Sequence, residues 1–249
     1  MLPKNDTAEN QDMTQEAFHQ LITEAKKFKD RSHSTVHDVH LPELNFLTTN
    51  TSQDPAAAPD AKATLSTVLI GDSMLERLKT TGTSTELAQL PGSFNAGCGG
   101  DKIENVLYRL DLMYPLLQNC NTIKLWVVMV GTNNLRKKGF RPADVALYRL
   151  LLQALLRVAP GSKVIACEMF RRKDIEDRYV DEANNMVKDM IDEMNIKLAG
   201  RGEPRIVWIE APIGVTKDLL EDHVHLDKDG YFKWDDYLFP RVLDQLEKQ

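Results

Sequence analysis

The sequence is poor in features that would assign it to several broad classes of protein. Its 249 residues include only three cysteines, which form no even-numbered disulfide framework and favour a reducing compartment. It has no apolar run long enough to span a bilayer, and its first residues lack the apolar core of a signal peptide. We therefore predict a cytoplasmic protein without a transmembrane segment.

The sequence also lacks the signals of nucleic-acid and nucleotide binding. A net charge of −6 and a pI near 5.6 give no general basis for attraction to nucleic acid, so no nucleic-acid partner is expected. No Gly-Lys-Ser or Gly-Lys-Thr of a phosphate-binding loop occurs. The glycine-rich turn at 97–100 is not a dinucleotide fingerprint, because Lys102 stands where the third glycine belongs.

What the sequence does contain, from Thr67 onward, is an alternation of apolar strand patterns with amphipathic helix patterns. Such alternation predicts a parallel sheet covered on both faces, and right-handed crossovers then give a three-layer α/β/α, flavodoxin-like domain with a central five-stranded sheet. Strands are expected near residues 66–71, 93–96, 123–130, 163–168 and 205–210.

The composition changes near residue 63 and divides the chain into two parts. Residues 1–62 are interpreted as an N-terminal appendage, partly disordered, with one amphipathic helix near 14–29 and a linker-like stretch at 51–59. Residues 63–249 form the predicted domain. The helix at 14–29 has three interpretations: it docks on the domain, contacts a partner, or remains isolated.

Ser73 lies where the first predicted strand ends and a helix begins, in the segment Gly71-Asp72-Ser73. At that junction, free backbone N–H groups and the helix dipole favour a developing oxyanion, which suggests a nucleophilic serine. Leu75 stands where the Gly-x-Ser-x-Gly elbow needs its second glycine, which argues against the α/β-hydrolase turn. The alternative is that Ser73 is only the N-cap of its helix.

Two further segments end strands at the same predicted edge of the sheet. The turn containing Gly99 and Gly100 can present a backbone N–H closely to a ligand, although it also fits a helix start capped by Asp101. Asn133 and Asn134 follow the most apolar strand, where an amide could donate to an oxyanion or simply form an Asx turn.

The segment Asp222-His223-Val224-His225 places a carboxylate and an imidazole three residues apart. Asp222 could orient the ring of His225, which could then accept the proton of a serine, while His223 is the competing base. The His-x-His pair also suggests a metal, but no third or fourth ligand is evident, so no metal or other cofactor is expected.

These motifs, taken in order, resemble the SGNH (GDSL-type) hydrolase superfamily over about three quarters of the chain, from Thr67 to the C-terminus. Within it, the blocks at 71–74, 95–101, 106–110 and 131–134 are most similar to the catalytic subunits of intracellular platelet-activating-factor acetylhydrolase. Asn134 and His223 stand where many members have aspartate and glycine.

The resemblance implies a role for each matched position. Ser73 is the implied nucleophile, with Asp222 and His225 completing a triad. The implied oxyanion donors are the N–H groups of Ser73 and Gly100 and the side chain of Asn133. The implied reaction is hydrolysis of a small-molecule or lipid ester, with short-chain acyl or acetyl groups, through an acyl-enzyme. Because the relatives form dimers and bind regulatory partners, a homodimer is also implied.

Two basic clusters follow strands of the same edge and suggest recognition of an anionic group. They contain Arg136 and Lys137 in one loop and Arg171 and Arg172 in the other, although both also fit solvated loops. Three alternative functions stay open: a lysophospholipase, a carbohydrate O-deacetylase, and a binding or scaffold protein that has kept the fold without turnover.

Overall fold

A computed structural model describes residues 13–49, 64–198 and 204–248, so the linker-like stretch at 51–59 lies outside the described residues. Its central sheet has five strands, all parallel, in the order β2-β1-β3-β4-β5. The strands are β1 Thr67–Gly71, β2 Ser93–Gly97, β3 Leu125–Met129, β4 Lys163–Cys167 and β5 Ile206–Ile209. The predicted five-stranded, three-layer α/β/α fold is confirmed, and each strand begins and ends within two residues of its expected position.

Eight α-helices in the described ranges surround this sheet. They are α1 Gln15–Ala25, α2 Asp30–Thr35, α3 Leu41–Thr49, α4 Ser73–Glu76, α5 Ile103–Leu117, α6 Pro142–Val158, α7 Asp177–Leu198 and α8 Lys228–Glu247. A π-helical turn, Val36–His40, joins α2 to α3, and a 3₁₀ turn, Arg77–Lys79, extends α4. No helix within these described ranges is both long and apolar enough to cross a membrane.

Alternate side chains of each strand enter two separate apolar cores, one on each face of the sheet. Val68 and Ile70 of β1 join the core beneath α5, α6 and α7, whereas Leu69 joins the core beneath α4 and α8. Because successive side chains of a strand point to opposite faces of the sheet, a strand that is apolar at every position contributes side chains to both cores. Helix α8 contributes Tyr231 and Trp234 to the second core.

The N-terminal segment packs on the first core. Phe18 and Ile22 of α1 and Leu44 of α3 are buried in the same apolar cluster as β1 and α5. Helix α1 therefore docks on the domain. It ends at Ala25, because the backbone of Lys26 is extended and the amide of Lys27 donates to the Glu104 carbonyl. Helices α2 and α3 were not expected from the sequence.

Candidate active site

Ser73 is the first residue of α4 and follows directly from the end of β1. Asp72 caps this helix, since its Oδ1 accepts a hydrogen bond from the Met74 amide at 3.0 Å. Gly71 allows the tight turn, because a Cβ at that position would lie 1.9 Å from the Met129 carbonyl oxygen of β3. The junction thus holds the Ser73 hydroxyl at the carboxyl edge of the sheet, beside the point where the strand order reverses.

The last strand-to-helix loop brings His225 to the hydroxyl of Ser73. Nε2 of His225 lies 2.8 Å from Ser73 Oγ, and its Nδ1 lies 2.6 Å from Oδ2 of Asp222. With Nδ1 donating to the carboxylate, Nε2 is left as the acceptor for the serine proton. The three side chains therefore form a continuous chain of hydrogen bonds over 152 residues of sequence separation.

The Asp222 carboxylate is fixed by its own loop. Oδ1 accepts hydrogen bonds from the backbone amides of Val224 and His225 at 2.7 and 2.8 Å. Burial alone would raise the pKa of Asp222, but the hydrogen bonds from the His225 ring and from these two amides outweigh it and hold the pKa well below its ordinary value. The group is therefore an anion at neutral pH, as an imidazole-orienting carboxylate must be.

The two predicted oxyanion donors outside α4 lie in adjoining turns. Gly100 has a positive φ of 73°, which L side chains rarely adopt, and it lines the pocket in which Ser73 and His225 are found. Nδ2 of Asn133 donates to the Asp101 carbonyl at 2.9 Å, which ties the turn after β3 to the turn after β2. The side-chain amide nitrogen of Asn133 carries two N–H groups, of which this contact uses one.

The competing side chains of the same motifs have other partners. Asn134 is buried, accepts from the Ile103 amide at the start of α5, and donates to Glu104 and Asp144, so it serves the fold. Nε2 of His223 lies 4.0 Å from Asp174 Oδ2, and its side chain is 56% exposed.

The two predicted basic clusters do not line this pocket among the described residues. Arg136 is paired with the buried Asp144 at 2.9 Å, and Arg171 is paired with Asp181 at 2.8 Å. Arg172 is nearly buried, and its guanidinium donates to the carbonyl and hydroxyl oxygens of Thr132. Lys137 is exposed on its own loop. A role for these residues at the substrate rim stays a prediction, and three of the four, Arg136, Arg171 and Arg172, already have oxygen partners within the protein.

The pocket around Ser73 and His225 is open and has a volume of about 810 Å³. Its lining, as far as the chain is described, consists of polar and charged side chains and two glycines, with no leucine, isoleucine, valine, methionine, phenylalanine, tyrosine or tryptophan. Two of its cations, Lys29 and Arg31, come from the N-terminal segment, which sequence reasoning had treated as an appendage. Arg77 also lines it, and its spacing of four residues from Ser73 was a signal that both lie on one helical face.

Comparison with known proteins gives a consistent result. Residues 69–232 match the GDSL-like Lipase/Acylhydrolase family. The chain is 26% identical over 172 residues to platelet-activating factor acetylhydrolase IB subunit alpha1 of Pongo abelii, covering 66% of this chain and 69% of that one.

Two solved structures share the fold at low sequence identity. A Bacteroides fragilis protein assigned as an acylhydrolase has a TM-score of 0.59 at 14% identity, over 88% of this chain and all of that one. A carbohydrate esterase family 3 protein of Talaromyces cellulolyticus has a TM-score of 0.53 at 18% identity, over 74% of this chain and 99% of that one.

Proposed function

This chain belongs to the GDSL-like lipase/acylhydrolase family, and we propose that it is a serine esterase that cleaves carboxylic esters through an acyl-enzyme on Ser73. One observation carries the proposal: the hydrogen-bonded series Ser73 Oγ, His225 Nε2, His225 Nδ1 and Asp222 Oδ2, with distances of 2.8 and 2.6 Å. A weak nucleophile hydrogen-bonded to a base, which a third group orients, is the arrangement that nucleophilic catalysis requires.

The proposed reaction has two half-reactions. His225 accepts the Ser73 proton as Oγ attacks the ester carbonyl, and it then donates that proton to the leaving alcohol. Water repeats the sequence on the acyl-enzyme and releases the acid. The N–H groups of Ser73 and Gly100 and the free amide N–H of Asn133 would stabilise the tetrahedral oxyanion. This chemistry uses the chain's own residues at every step.

Short acyl groups are the proposed substrates because of the pocket's lining. A long acyl chain needs apolar surface to leave water, at about 25 cal/mol for each Å² buried. The described lining has no hydrocarbon or large aromatic side chain, so the apolar surface it offers comes from the methylene stems of charged side chains and from threonine and glycine. This favours acetyl or similarly short esters over the acyl chains of a lysophospholipid.

Labelling with a fluorophosphonate probe tests the nucleophile. We expect one label per wild-type chain, its loss in Ser73→Ala, and a fall in the turnover of 4-nitrophenyl acetate of up to ~10⁶-fold in that variant. Ser84→Ala, which alters an exposed serine of the same domain, is the matched control and should label normally. A folded wild-type protein that neither labels nor turns over any ester would instead be a binding protein.

A panel of esters then tests the acyl group. We expect kcat/KM to fall from acetate through butyrate to decanoate esters. A rise with chain length would identify a lysophospholipase-type substrate. A strong preference for acetylated sugars over aryl acetates would identify a carbohydrate O-deacetylase.

A further inference from the structure

The four cations that line the pocket around Ser73 differ in how their charges are neutralised. Arg31 pairs with Glu76 at 2.9 Å, Lys79 pairs with Glu43 at 3.3 Å, and Arg77 pairs with Glu221. The fourth cation is Lys29, the residue that precedes α2.

The carboxylate nearest to Lys29 is already shared with another cation. Nζ of Lys29 lies 3.7 Å from Oδ1 of Asp101, which is fully buried. The same Asp101 accepts from Arg109 Nε at 2.7 Å and from the Ser32 hydroxyl at 2.5 Å. The remaining guanidinium contacts of Arg109 are to the carbonyls of Gly71 and Ala96 and to the ring of His40.

Two cations thus share Asp101, and Lys29 has no carboxylate of its own among the described residues to balance its positive charge. His40 adds no positive charge at neutral pH, because burial and the neighbouring Arg109 lower its pKa to about 3. The fully buried Arg109 cannot meet a ligand, whereas the Lys29 side chain is 34% exposed and lines the pocket. Of the two cations that share Asp101, Lys29 is therefore the one that faces the pocket.

Lys29 also lies close to the expected reaction centre. Its Nζ donates to the Gly99 carbonyl at 3.4 Å, and a Cβ added to Gly100 would lie 2.9 Å from that nitrogen. The ammonium group thus covers the turn whose N–H is a proposed oxyanion donor. A substrate with its ester carbonyl at Ser73 would have part of its structure beside Lys29.

We propose that Lys29 is a specificity-determining residue that binds an anionic group, a carboxylate or a phosphate, carried by the ester substrate. This inference rests on the proposed esterase function and deepens it by giving the substrate a charge. The N-terminal segment then contributes to the substrate site through this residue.

Matched pairs of esters test the proposal and show which side of the ester carries the anion. Phenyl acetate and 4-acetoxybenzoate differ by a carboxylate on the alcohol side, and 4-nitrophenyl butyrate and mono-4-nitrophenyl succinate differ by one on the acyl side. In Lys29→Met, the anionic-to-neutral ratio of kcat/KM should fall about two- to fivefold for at least one pair, as expected for a partly exposed charge pair. Lys29→Arg should keep the ratio.

The controls separate recognition of the anion from general effects. Lys233→Met, which removes an exposed lysine on α8, should leave both ratios unchanged. High salt should reduce the wild-type preference for the anionic ester and leave Lys29→Met less affected. Equal losses on neutral and anionic esters would contradict the proposal, because Lys29 would then act on the oxyanion or the fold.

A binding measurement keeps this test independent of turnover. Calorimetric titration of phenylphosphonate into Ser73→Ala and into Ser73→Ala with Lys29→Met should show binding that weakens about two- to fivefold in the double variant. Absence of binding to both proteins, or equal binding, would overturn the anion site even if the esterase proposal held. Binding without any esterase activity would support the anion site and reject the esterase.

Discussion

At the scale of single residues, the two imidazoles of the last loop separate by their contacts although they are two positions apart. His225 bridges Ser73 and Asp222, and its side chain is only 19% exposed. His223 points to Asp174, and its backbone carbonyl accepts from the Lys173 amide at 2.8 Å. Only His225 is therefore in a position to take the serine proton.

We expect His225→Ala to lower kcat/KM for 4-nitrophenyl acetate by about 10⁴- to 10⁶-fold, because Ser73 then lacks its proton acceptor. His223→Ala, the matched control, should change it by less than about threefold, since the contact that holds its loop uses the backbone. Steady-state kinetics on both variants, with circular dichroism to show that each is folded, makes the comparison. Loss of activity in His223→Ala, with activity kept in His225→Ala, would show that His223 is the base.

At the scale of elements, the junction between β1 and α4 contains a buried carboxyl group. Asp72 is 1% exposed; its Oδ1 caps α4, and its Oδ2 has no hydrogen-bond partner among the described residues. Burial raises the pKa of Asp72 from 3.8 to about 7, because the charged form loses its hydration, and the neighbouring Asp101 adds to the rise. The residue that positions Ser73 therefore makes the start of α4 sensitive to pH.

The sign of this dependence follows from proton binding. Between pH 3.8 and about 7 the folded state holds the Asp72 proton and the unfolded state does not, so stability falls as pH rises through that window. Asp72→Asn cannot ionise and keeps an oxygen for the Met74 amide. The free energy of unfolding of Asp72→Asn, relative to that of wild type, should therefore rise by a few kcal/mol between pH 4 and 7, because each unit of the pKa difference of Asp72 corresponds to about 1.4 kcal/mol.

Urea unfolding of both proteins across that pH range measures the difference, in which all other titrating groups cancel. The exposed Asp189→Asn serves as the control and should show no comparable trend. A difference between Asp72→Asn and wild type that does not vary with pH would mean that Asp72 stays ionised in the folded protein.

The strands were predictable from sequence and the N-terminal helices were not, for a physical reason. A strand such as Leu125–Met129 is apolar at every position, so its burial is evident without knowing its neighbours. Helix α2, Asp30–Thr35, is short and polar and buries only Ser32, which bonds to Asp101 from a distant part of the chain. Lys29 acquires its place in the pocket through the same long-range packing, which no local pattern indicates.

The residues of the candidate site divide in a similar way. The proximity of Ser73, Asp222 and His225 was predictable because a short spacing or a strand end marks each of them, and their catalytic roles stay a prediction. The ion pairs of the two basic clusters were not predictable, because their partners, such as Asp144 and Asp181, come from helices whose packing the sequence does not reveal.

At the scale of the whole molecule, the buried pair of Asp101 and Arg109 joins parts of the chain that the sequence separates. Arg109 donates to carbonyls at the ends of β1 and β2, while Asp101 accepts from Ser32 of the N-terminal segment. Both charged side chains are fully buried, so removing either would leave an uncompensated charge at a cost of about 3–5 kcal/mol. The division of the chain at residue 62 stays a prediction, but this pair argues for one cooperative unit.

Two valines of the π-helical turn provide a matched test of that cooperativity. Val36 is fully buried in the core that also holds Val68 and Phe94, whereas Val39, three residues later, is 44% exposed. Val36→Ala should lower the free energy of unfolding by about 2 kcal/mol, for two lost methyl groups and the cavity they leave. Val39→Ala should change it by less than about 0.5 kcal/mol.

If the N-terminal segment and the sheet unfold together, the loss in Val36→Ala appears in a single urea transition. Tryptophan fluorescence, which reports Trp126 and Trp208 in the sheet and Trp234 on α8, and circular dichroism should then give the same midpoint. A separate early transition seen by circular dichroism alone would show that residues 13–49 detach before the domain unfolds. In that case Lys29 would leave the pocket below the main transition, and any preference for anionic esters would disappear at the same urea concentration.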